Sequence, residues 1–324
     1  MRAIIPVAGF GTRLRPHTYT LPKVLLNVAG KPIIGHILDK IVEDGFDEAT
    51  IIVGNMGEKI RDFARSNYKI KFDFVEQPEP KGLAHAISLA RKTFTTEPVL
   101  IILGDTIFDV NLKPILKEPL SSLGVKKVED PRRFGVVEMK DGFVAKLVEK
   151  PENPTSNLAL VGLYWIRNPF LLDQCMEELF KTNKKTKGEY QLTDALQAMV
   201  EKGEKVKTFN VEGWYDCGKP ETLLATNRHL LDKLPHRKNR DGVVINPPVF
   251  IAEDAKISRS IIGPYATIAS GAVIEDSIIR NSIVSDDARV HCALLEDSLV
   301  GDNSIVRGNF QKINIGDSSE IEFH

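Results

Sequence analysis

The sequence has few cysteines, no long hydrophobic run and almost no net charge, and each of these absences excludes a class of protein. Its three cysteines among 324 residues lie far apart and form no CxxC pair, so neither a disulfide scaffold nor a zinc site is expected. No apolar run approaches the roughly 20 residues that span a membrane. With a net charge of −1, the chain lacks the basic field of a nucleic-acid-binding protein. These absences favour a cytoplasmic protein whose partners include neither nucleic acid nor membrane.

What remains is the composition of a folded protein with room for two cores, since 42% of the residues are hydrophobic and 27% are charged. From residue 31 to about 110, predicted strands alternate with predicted helices. The β-branched run 49–53 is typical of a strand that is buried on both faces, and residues 31–44 carry a helical apolar stripe. This alternation predicts an α/β domain with a mostly parallel, Rossmann-like sheet and helices on both faces. Ligands of such sheets bind at the carboxyl ends of the strands.

A glycine-rich loop follows the first predicted strand, residues 3–7. Gly9 and Gly11 let the chain turn sharply and bring bare backbone N–H groups against a ligand. Arg13 and Lys23 add positive charge beside this turn. Backbone donors combined with a guanidinium and an ammonium group predict a binding site for a polyphosphate.

Two common glycine motifs do not fit this loop. The dinucleotide fingerprint would need glycine at position 14, and the Walker A pattern would need it at position 25, but both positions hold leucine. The segment Gly9–Leu25 instead resembles the signature of the sugar-1-phosphate nucleotidylyltransferases, G-x-G-T-R-L-x-P-x-T-x-x-x-P-K-x-L. These enzymes make nucleotide-sugars and pyrophosphate from nucleoside triphosphates and sugar-1-phosphates. The resemblance extends over residues 1 to about 232.

The resemblance implies a role for each part of the nucleotide site. Arg13 and Lys23 would be catalytic and stabilise the α-phosphate under attack. Gln77 and Gly82 would read the base, since a glutamine amide can pair with an imide edge. The segment 82–85, Gly-Leu-Ala-His, is closer to the uridylyl and thymidylyl branches than to the guanylyl and adenylyl branches. The implied nucleotide-binding residues are Ala8, Gly9, Gly11, Thr12, Arg13, Gln77 and Gly82.

The resemblance also implies a sugar-phosphate half and a metal site. Residues 134–138 and 144–148 flank a polar turn, which predicts a β-hairpin. The implied sugar-phosphate-binding residues are Phe134, Gly135, Glu149, Lys150, Val161 and Gly162. Asp105 follows a predicted strand and Asp216 lies in Gly-Trp-Tyr-Asp-Cys-Gly, and together these carboxylates would hold the cofactor Mg²⁺. Further along, Thr193 or Asp194 is predicted to cap a helix over 195–201.

Beyond residue 242 the sequence becomes a repeat. Aliphatic residues recur in steps of five or six, at positions 251, 257, 262, 268, 274, 279, 284, 290, 295, 300 and 306. Three steps make a coil of about 16 or 17 residues, which predicts a left-handed parallel β-helix of hexapeptide repeats. The predicted division is therefore a catalytic domain over 1–232, a linker over 233–242 and a β-helix over 243–324.

A β-helix of about four coils leaves its flat faces and end coils without neighbours. Phe310 and Phe323 fall at its far end. We therefore expect a homo-oligomer that assembles through the β-helix.

The favoured activity is magnesium-assisted transfer of a nucleotidyl group from dTTP or UTP to glucose-1-phosphate. Guanylyl or adenylyl transfer to another sugar-1-phosphate is an alternative, as is a non-catalytic nucleotide-sugar sensor, although the intact set of charged residues argues against a sensor. An acyltransferase is a third reading, because β-helices often carry that chemistry on a histidine. Here only His291 and His324 lie in the repeat region, and no inserted loop interrupts the steps.

Overall fold

The structure, a computed structural model, describes residues 1–235 and 242–308. Phe310, Phe323, His324 and most of the predicted linker lie outside the described residues. The chain forms two compact units: the first comprises residues 1–27 and 31–226, and the second comprises residues 28–30 and the chain from Asn227 onward. No helix in the two described ranges is long and apolar enough to cross a membrane.

Up to residue 216 the chain forms short strands and helices, and between residues 33 and 102 they come in the order that the sequence predicts. The strands are β1 (Arg2–Pro6), β2 (Asn27–Val28), β3 (Lys31–Pro32), β4 (Glu48–Val53), β5 (Lys71–Glu76), β6 (Val99–Ile102), β7 (Thr106–Asp109), β8 (Ser121–Lys127), β9 (Gly135–Lys140), β10 (Phe143–Glu149), β11 (Leu158–Ile166), β12 (Val206–Asn210) and β13 (Gly213–Asp216). The helices are α1 (Ile33–Glu43), α2 (Gly57–Asn67), α3 (Leu83–Leu89), α4 (Leu112–Leu116), α5 (Pro169–Lys181), α6 (Leu192–Glu201) and α7 (Pro220–Leu231).

A mixed sheet forms the centre of the first unit. Its main path runs β10-β9-β11-β6-β1-β4-β5, and β8 pairs with both β11 and β12. The pairs β6-β1, β1-β4 and β4-β5 are parallel, whereas β11 runs antiparallel to β6, β8 and β9. Because β1, β4, β5 and β6 are parallel, the loops that follow them emerge at one edge of the sheet. The predicted α/β class is confirmed.

The apolar patterns explain why these segments fold as they do. Ala3, Ile4 and Ile5 of β1 are fully buried, as expected for a central strand covered on both faces. On α1 the buried side chains recur at helical spacing, so one stripe faces the core. These side chains are Ile33, Ile34, Ile37, Leu38 and Ile41.

The second unit contains three parallel sheets of four strands each, in the orders β14-β17-β20-β23, β15-β18-β21-β24 and β16-β19-β22-β25. The strands are β14 (Val243–Ile245), β15 (Val249–Ile251), β16 (Lys256–Ser258), β17 (Ser260–Ile262), β18 (Ala266–Ile268), β19 (Val273–Glu275), β20 (Ile278–Ile279), β21 (Ile283–Val284), β22 (Arg289–His291), β23 (Leu294–Leu295), β24 (Leu299–Val300) and β25 (Ile305–Arg307). Aliphatic residues stack from coil to coil, as Ile251 does on Ile268 and Ile268 on Val284. The predicted β-helix is confirmed, and every predicted aliphatic position lies in a strand.

Candidate active site

A cavity of about 430 Å³ opens in the first unit at the carboxyl edge of the parallel strands. The cavity is lined by the loop after β1, by the segment around Gln77 after β5, and by residues 103–105 after β6. The volume lies in the usual range for a small-molecule site. The predicted nucleotide and catalytic residues that line it are Ala8, Gly9, Gly11, Thr12, Arg13, Lys23, Gln77 and Gly82, together with the predicted metal ligand Asp105.

The loop after β1 presents its backbone to this cavity. Among the described residues, the backbone N–H groups of residues 8–13 donate to no acceptor. A short 3-10 helix, Thr12–Leu14, follows its N-cap residue Gly11, whose φ of 60° is left-handed. A Cβ atom at Gly11 would lie 2.9 Å from Cβ of Lys23, so only glycine lets the loop pack this closely. The result is a row of donors suited to an anion.

Two carboxylates and two cations meet beside the loop. Lys23 is 8% exposed, and its Nζ lies 2.8 Å from Oδ2 of Asp105. In the antiparallel pair β13-β7, Asp216 pairs with Thr106, the residue after Asp105. A Cβ atom at Gly218 would lie 2.8 Å from Oδ1 of Asp216 and 3.0 Å from Nη2 of Arg13.

The proximity of these charges affects the pKa of Asp216. Burial and then the neighbouring Asp105 raise this pKa, while Lys23 and Arg13 act in the opposite direction. Two carboxylates held this close together favour a bound cation. Among the described residues no cluster of three or more metal-ligating side chains occurs, but two carboxylates are all that Mg²⁺ usually takes from a protein. The donor chemistry of Asp105 and Asp216 therefore fits a Mg²⁺ ion.

Gln77 and Gly82 also line the cavity, and Gly82 lies against the segment that precedes α6. Gly82 has a φ of 110°, and a Cβ atom there would lie 2.5 Å from the carbonyl oxygen of Tyr190, so no larger residue fits. The backbone N–H of Ala84 donates to that same carbonyl at 3.0 Å. This contact holds the start of α3, and hence Gly82, at the wall of the cavity.

The predicted sugar-phosphate residues form a separate group. Gly135 and Glu149 are paired across the predicted hairpin β9-β10, and the backbone N–H of Lys150 donates to the carbonyl of Phe134 at 3.0 Å. Lys150 has a left-handed φ of 45°, a strained conformation for a lysine that is typical of functional sites. Its Nζ lies 3.2 Å from Oε1 of Glu149. The hairpin therefore holds one exposed cation and one nearly buried carboxylate side by side.

Val161 and Gly162 lie on β11 and are buried. The carbonyl of Gly162 accepts a hydrogen bond from the backbone N–H of Leu103 at 2.9 Å, and Leu103 lines the cavity. The Phe134 ring packs against the ring of Trp214, with 4.8 Å between the ring centroids. Trp214 precedes Asp216 by two residues on β13. Through these contacts the predicted sugar-phosphate-binding residues adjoin the cavity, although they do not line it.

Several residues at the site were missed by the sequence reasoning. Glu189 lines the cavity, and its place in the run Gly-Glu-Tyr-Gln-Leu-Thr-Asp could have indicated it. Nε1 of Trp214 is buried and has no hydrogen-bond partner among the described residues. His85 contacts Gln77, but the sequence indicated it only as the last residue of the segment Gly-Leu-Ala-His. The predicted cap of α6 was wrong: the helix begins at Leu192, and Oγ1 of Thr193 instead donates to Oε2 of Glu149 at 2.7 Å.

In the second unit, His291 lies on β22, and its Nδ1 is 2.9 Å from Oε2 of Glu275 on the neighbouring strand β19. The steps of the β-helix between residues 243 and 308 are regular. His324 falls outside the described residues.

The chain is similar to known proteins over most of its length. The Nucleotidyl transferase family matches residues 2–233. The bifunctional protein GlmU of Methanocaldococcus jannaschii is 37% identical over 94% of this chain and 78% of its own length. The glucose-1-phosphate thymidylyltransferase of Streptomyces antibioticus is 30% identical over 99% of both chains. A solved structure of a UDP-glucose pyrophosphorylase complexed with UDP-glucose superposes with a TM-score of 0.62 at 27% identity, covering 72% of this chain and 99% of that one.

Proposed function

We propose, on the premise that the chain belongs to the nucleotidyl transferase family, that it joins dTTP or UTP to glucose-1-phosphate. A phosphate oxygen of the sugar-1-phosphate attacks the α-phosphorus of the triphosphate. The bond between the α-phosphorus and the bridging oxygen breaks, and pyrophosphate leaves with the electron pair. The products are a nucleotide-sugar and pyrophosphate. The observation that carries this proposal is the row of free N–H groups over residues 8–13 in one cavity with Arg13 and Lys23.

This chain's residues supply alignment and charge. The sugar phosphate is already anionic at neutral pH, so the reaction needs no strong general base. The N–H groups of the loop would hold the triphosphate oxygens, and Arg13 and Lys23 would stabilise the charge that develops around the α-phosphorus. Asp105 orients the Lys23 ammonium through their 2.8 Å contact. Because Lys23 is buried, its charge acts in a medium where it is weakly screened.

The hairpin β9-β10 would hold the sugar-1-phosphate. Lys150 is exposed beside Glu149 and would bind the phosphate, while the Glu149 carboxylate can accept a hydrogen bond from a sugar hydroxyl. The hydrogen bond from Thr193 fixes the second oxygen of Glu149. Alignment of the two substrates in this way lowers the barrier by removing most of the entropy cost of their encounter.

Asp105 and Asp216 would hold Mg²⁺, which neutralises the triphosphate and the departing pyrophosphate when it is bound. The two residues come from adjacent strand ends, so neither needs to move far to share a cation. Asp105 would then serve both the ion and Lys23.

The choice of substrates rests on the relatives and on the base segment. The Streptomyces antibioticus relative is named for glucose-1-phosphate and thymidylyl transfer, and the solved structure contains UDP-glucose. Pyrophosphate release from a panel of triphosphates and sugar-1-phosphates tests the proposal, with the sugar product identified by mass spectrometry. We expect the highest kcat/KM with dTTP or UTP and glucose-1-phosphate. A preference for GTP or ATP, or for another sugar-1-phosphate such as N-acetylglucosamine-1-phosphate, would overturn that choice, and no transfer to any sugar would overturn the function.

We also propose that the chain assembles with copies of itself through one face of the β-helix. On the sheet β14-β17-β20-β23, the outward positions Val244, Ile261, Ile278 and Leu294 are in register. Val244 is 47% exposed, Ile278 39% and Leu294 75%. A continuous aliphatic stripe on a flat sheet is typical of an interface, and the regular surface suits a symmetric contact between identical chains.

A further inference from the structure

The side-chain amide of Gln77 is held in one orientation by the protein. Its Nε2 lies 3.3 Å from the carbonyl oxygen of Gly82 and 3.1 Å from Nδ1 of His85. A backbone carbonyl only accepts hydrogen bonds, so the atom facing it must be the amide nitrogen. The second N–H of the same nitrogen is then directed at His85. Nδ1 of His85 must accept it, which leaves the imidazole proton on Nε2.

His85 is held in position for this contact. It lies on α3, whose start is bound to the Tyr190 carbonyl through Ala84. The His85 ring packs edge-on against Phe180, with 6.3 Å between centroids. Burial lowers the pKa of His85 below its ordinary value, so the ring is neutral at pH 7 and its Nδ1 keeps the lone pair that the contact requires.

The consequence is that Gln77 offers only an acceptor to a ligand. Both of its N–H groups are engaged, and among the described residues its Oε1 has no hydrogen-bond donor. Gln77 and Gly82 line the same cavity as Arg13 and Lys23. Uracil and thymine carry an N–H donor at N3, whereas cytosine has an unprotonated N3 that can only accept. An acceptor facing N3 therefore pairs with uracil or thymine and repels cytosine.

We propose that His85 is a positioning residue: by accepting a hydrogen bond from Gln77, it holds the Gln77 Oε1 toward the nucleotide base and makes the site select uracil or thymine over cytosine. This inference rests on the proposed function and deepens it. With no acceptor at residue 85, only the 3.3 Å contact to the Gly82 carbonyl opposes rotation of the amide by half a turn, which would exchange the positions of its oxygen and nitrogen. Its nitrogen then faces the base and can donate to N3 of cytosine.

Two substitutions separate this role from simple packing. His85→Phe keeps a ring against Phe180 but removes the acceptor, whereas His85→Asn restores an acceptor oxygen near the place of Nδ1. We would measure kcat/KM for UTP against CTP and for dTTP against dCTP, pairs that share the same pentose. The ratio should fall by about tenfold or more in His85→Phe, the size of one lost discriminating hydrogen bond, and recover most of the way in His85→Asn.

An unchanged ratio in a folded His85→Phe variant would overturn the inference, and so would a ratio that stays equally low in His85→Asn. His85→Leu provides the same comparison if the phenylalanine variant does not fold. Calorimetry of UTP and CTP binding to the wild-type protein and the His85 variants distinguishes a failure of this inference from a failure of the proposed function. Loss of transfer from every triphosphate would sink the proposed function, while the UTP-to-CTP affinity ratio in wild type and His85→Phe would still decide the role of His85.

Discussion

Lys23 and Lys150 illustrate how far a residue's role can be predicted from its own sequence position. The resemblance singled out both, and the structure gives each a distinct setting: Lys23 is buried against Asp105, and Lys150 is exposed beside Glu149. The sequence could not reveal the contact between His85 and Gln77, because it depends on how α3 packs at the end of β5. The resemblance therefore predicts the charged groups, but not the hydrogen bonds that orient them.

Replacing Lys23 by alanine should lower turnover by roughly 100-fold or more, as expected when a pre-positioned charge that stabilises the transition state is removed. Steady-state kinetics with saturating substrates measures this. Lys202→Ala is the matched control, because Lys202 pairs with Glu178 at 2.8 Å and does not line the cavity. Turnover within about twofold of wild type in a folded Lys23→Ala variant would remove Lys23 from the mechanism.

Replacing Lys150 by alanine should act mainly on the sugar substrate. We expect KM for the sugar-1-phosphate to rise by about tenfold or more, since a charge-assisted contact to phosphate is lost, with a smaller change in KM for the triphosphate. The control is Lys146→Ala. Lys146 lies on β10, the strand that Lys150 follows, and its Nζ lies 3.4 Å from Oε1 of Glu138. If the triphosphate alone were affected, Lys150 would belong to the other half of the site.

At the level of secondary-structure elements, the regularity with which apolar residues recur decides which elements the sequence predicts. The β-helix repeats one pattern, so its predicted aliphatic positions all lie in strands, and only the first strand, β14 with Ile245, contains none of them. Helix α5 was not predicted, although it had a local signal: Asn168 accepts a hydrogen bond from the Leu171 N–H, and Pro169 follows it. The antiparallel direction of β11 depends on its pairing with distant strands and leaves no mark in its own residues.

Ile274 tests the packing of the β-helix. It is fully buried and stacks between Ile257 and Val290, so Ile274→Ala should reduce the free energy of unfolding of this unit by about 2–5 kcal/mol. Hydrogen exchange of the amides in residues 243–308 reports that stability directly. The control Ile305→Ala changes an outward side chain on β25, a strand of a different sheet from the aliphatic stripe, that is 57% exposed, and its effect should be below about 1 kcal/mol. Equal effects of the two substitutions would contradict the inward and outward assignment.

At the level of the whole molecule, the aliphatic stripe predicts assembly. Light scattering should give a mass that is a multiple of 36.1 kDa. The double substitution Ile278→Lys and Leu294→Lys should reduce it, because two charges would be buried at the interface. Lys256→Ala on a different sheet, β16-β19-β22-β25, is the control. A monomeric wild-type protein, or an unchanged mass in the double variant, would rule out this interface.

The central claim is that the α-phosphoryl group, with its nucleoside, passes to the sugar phosphate. The most direct measurement incubates the protein with Mg²⁺, glucose-1-phosphate, and dTTP or UTP that is radiolabelled on the α-phosphorus. The account predicts that the label appears in the nucleotide-sugar, that unlabelled pyrophosphate is released in equal amount, and that chelation of the metal stops both. Label recovered only as a free nucleotide, or a phosphoryl group transferred from the γ-position to the sugar, would contradict it.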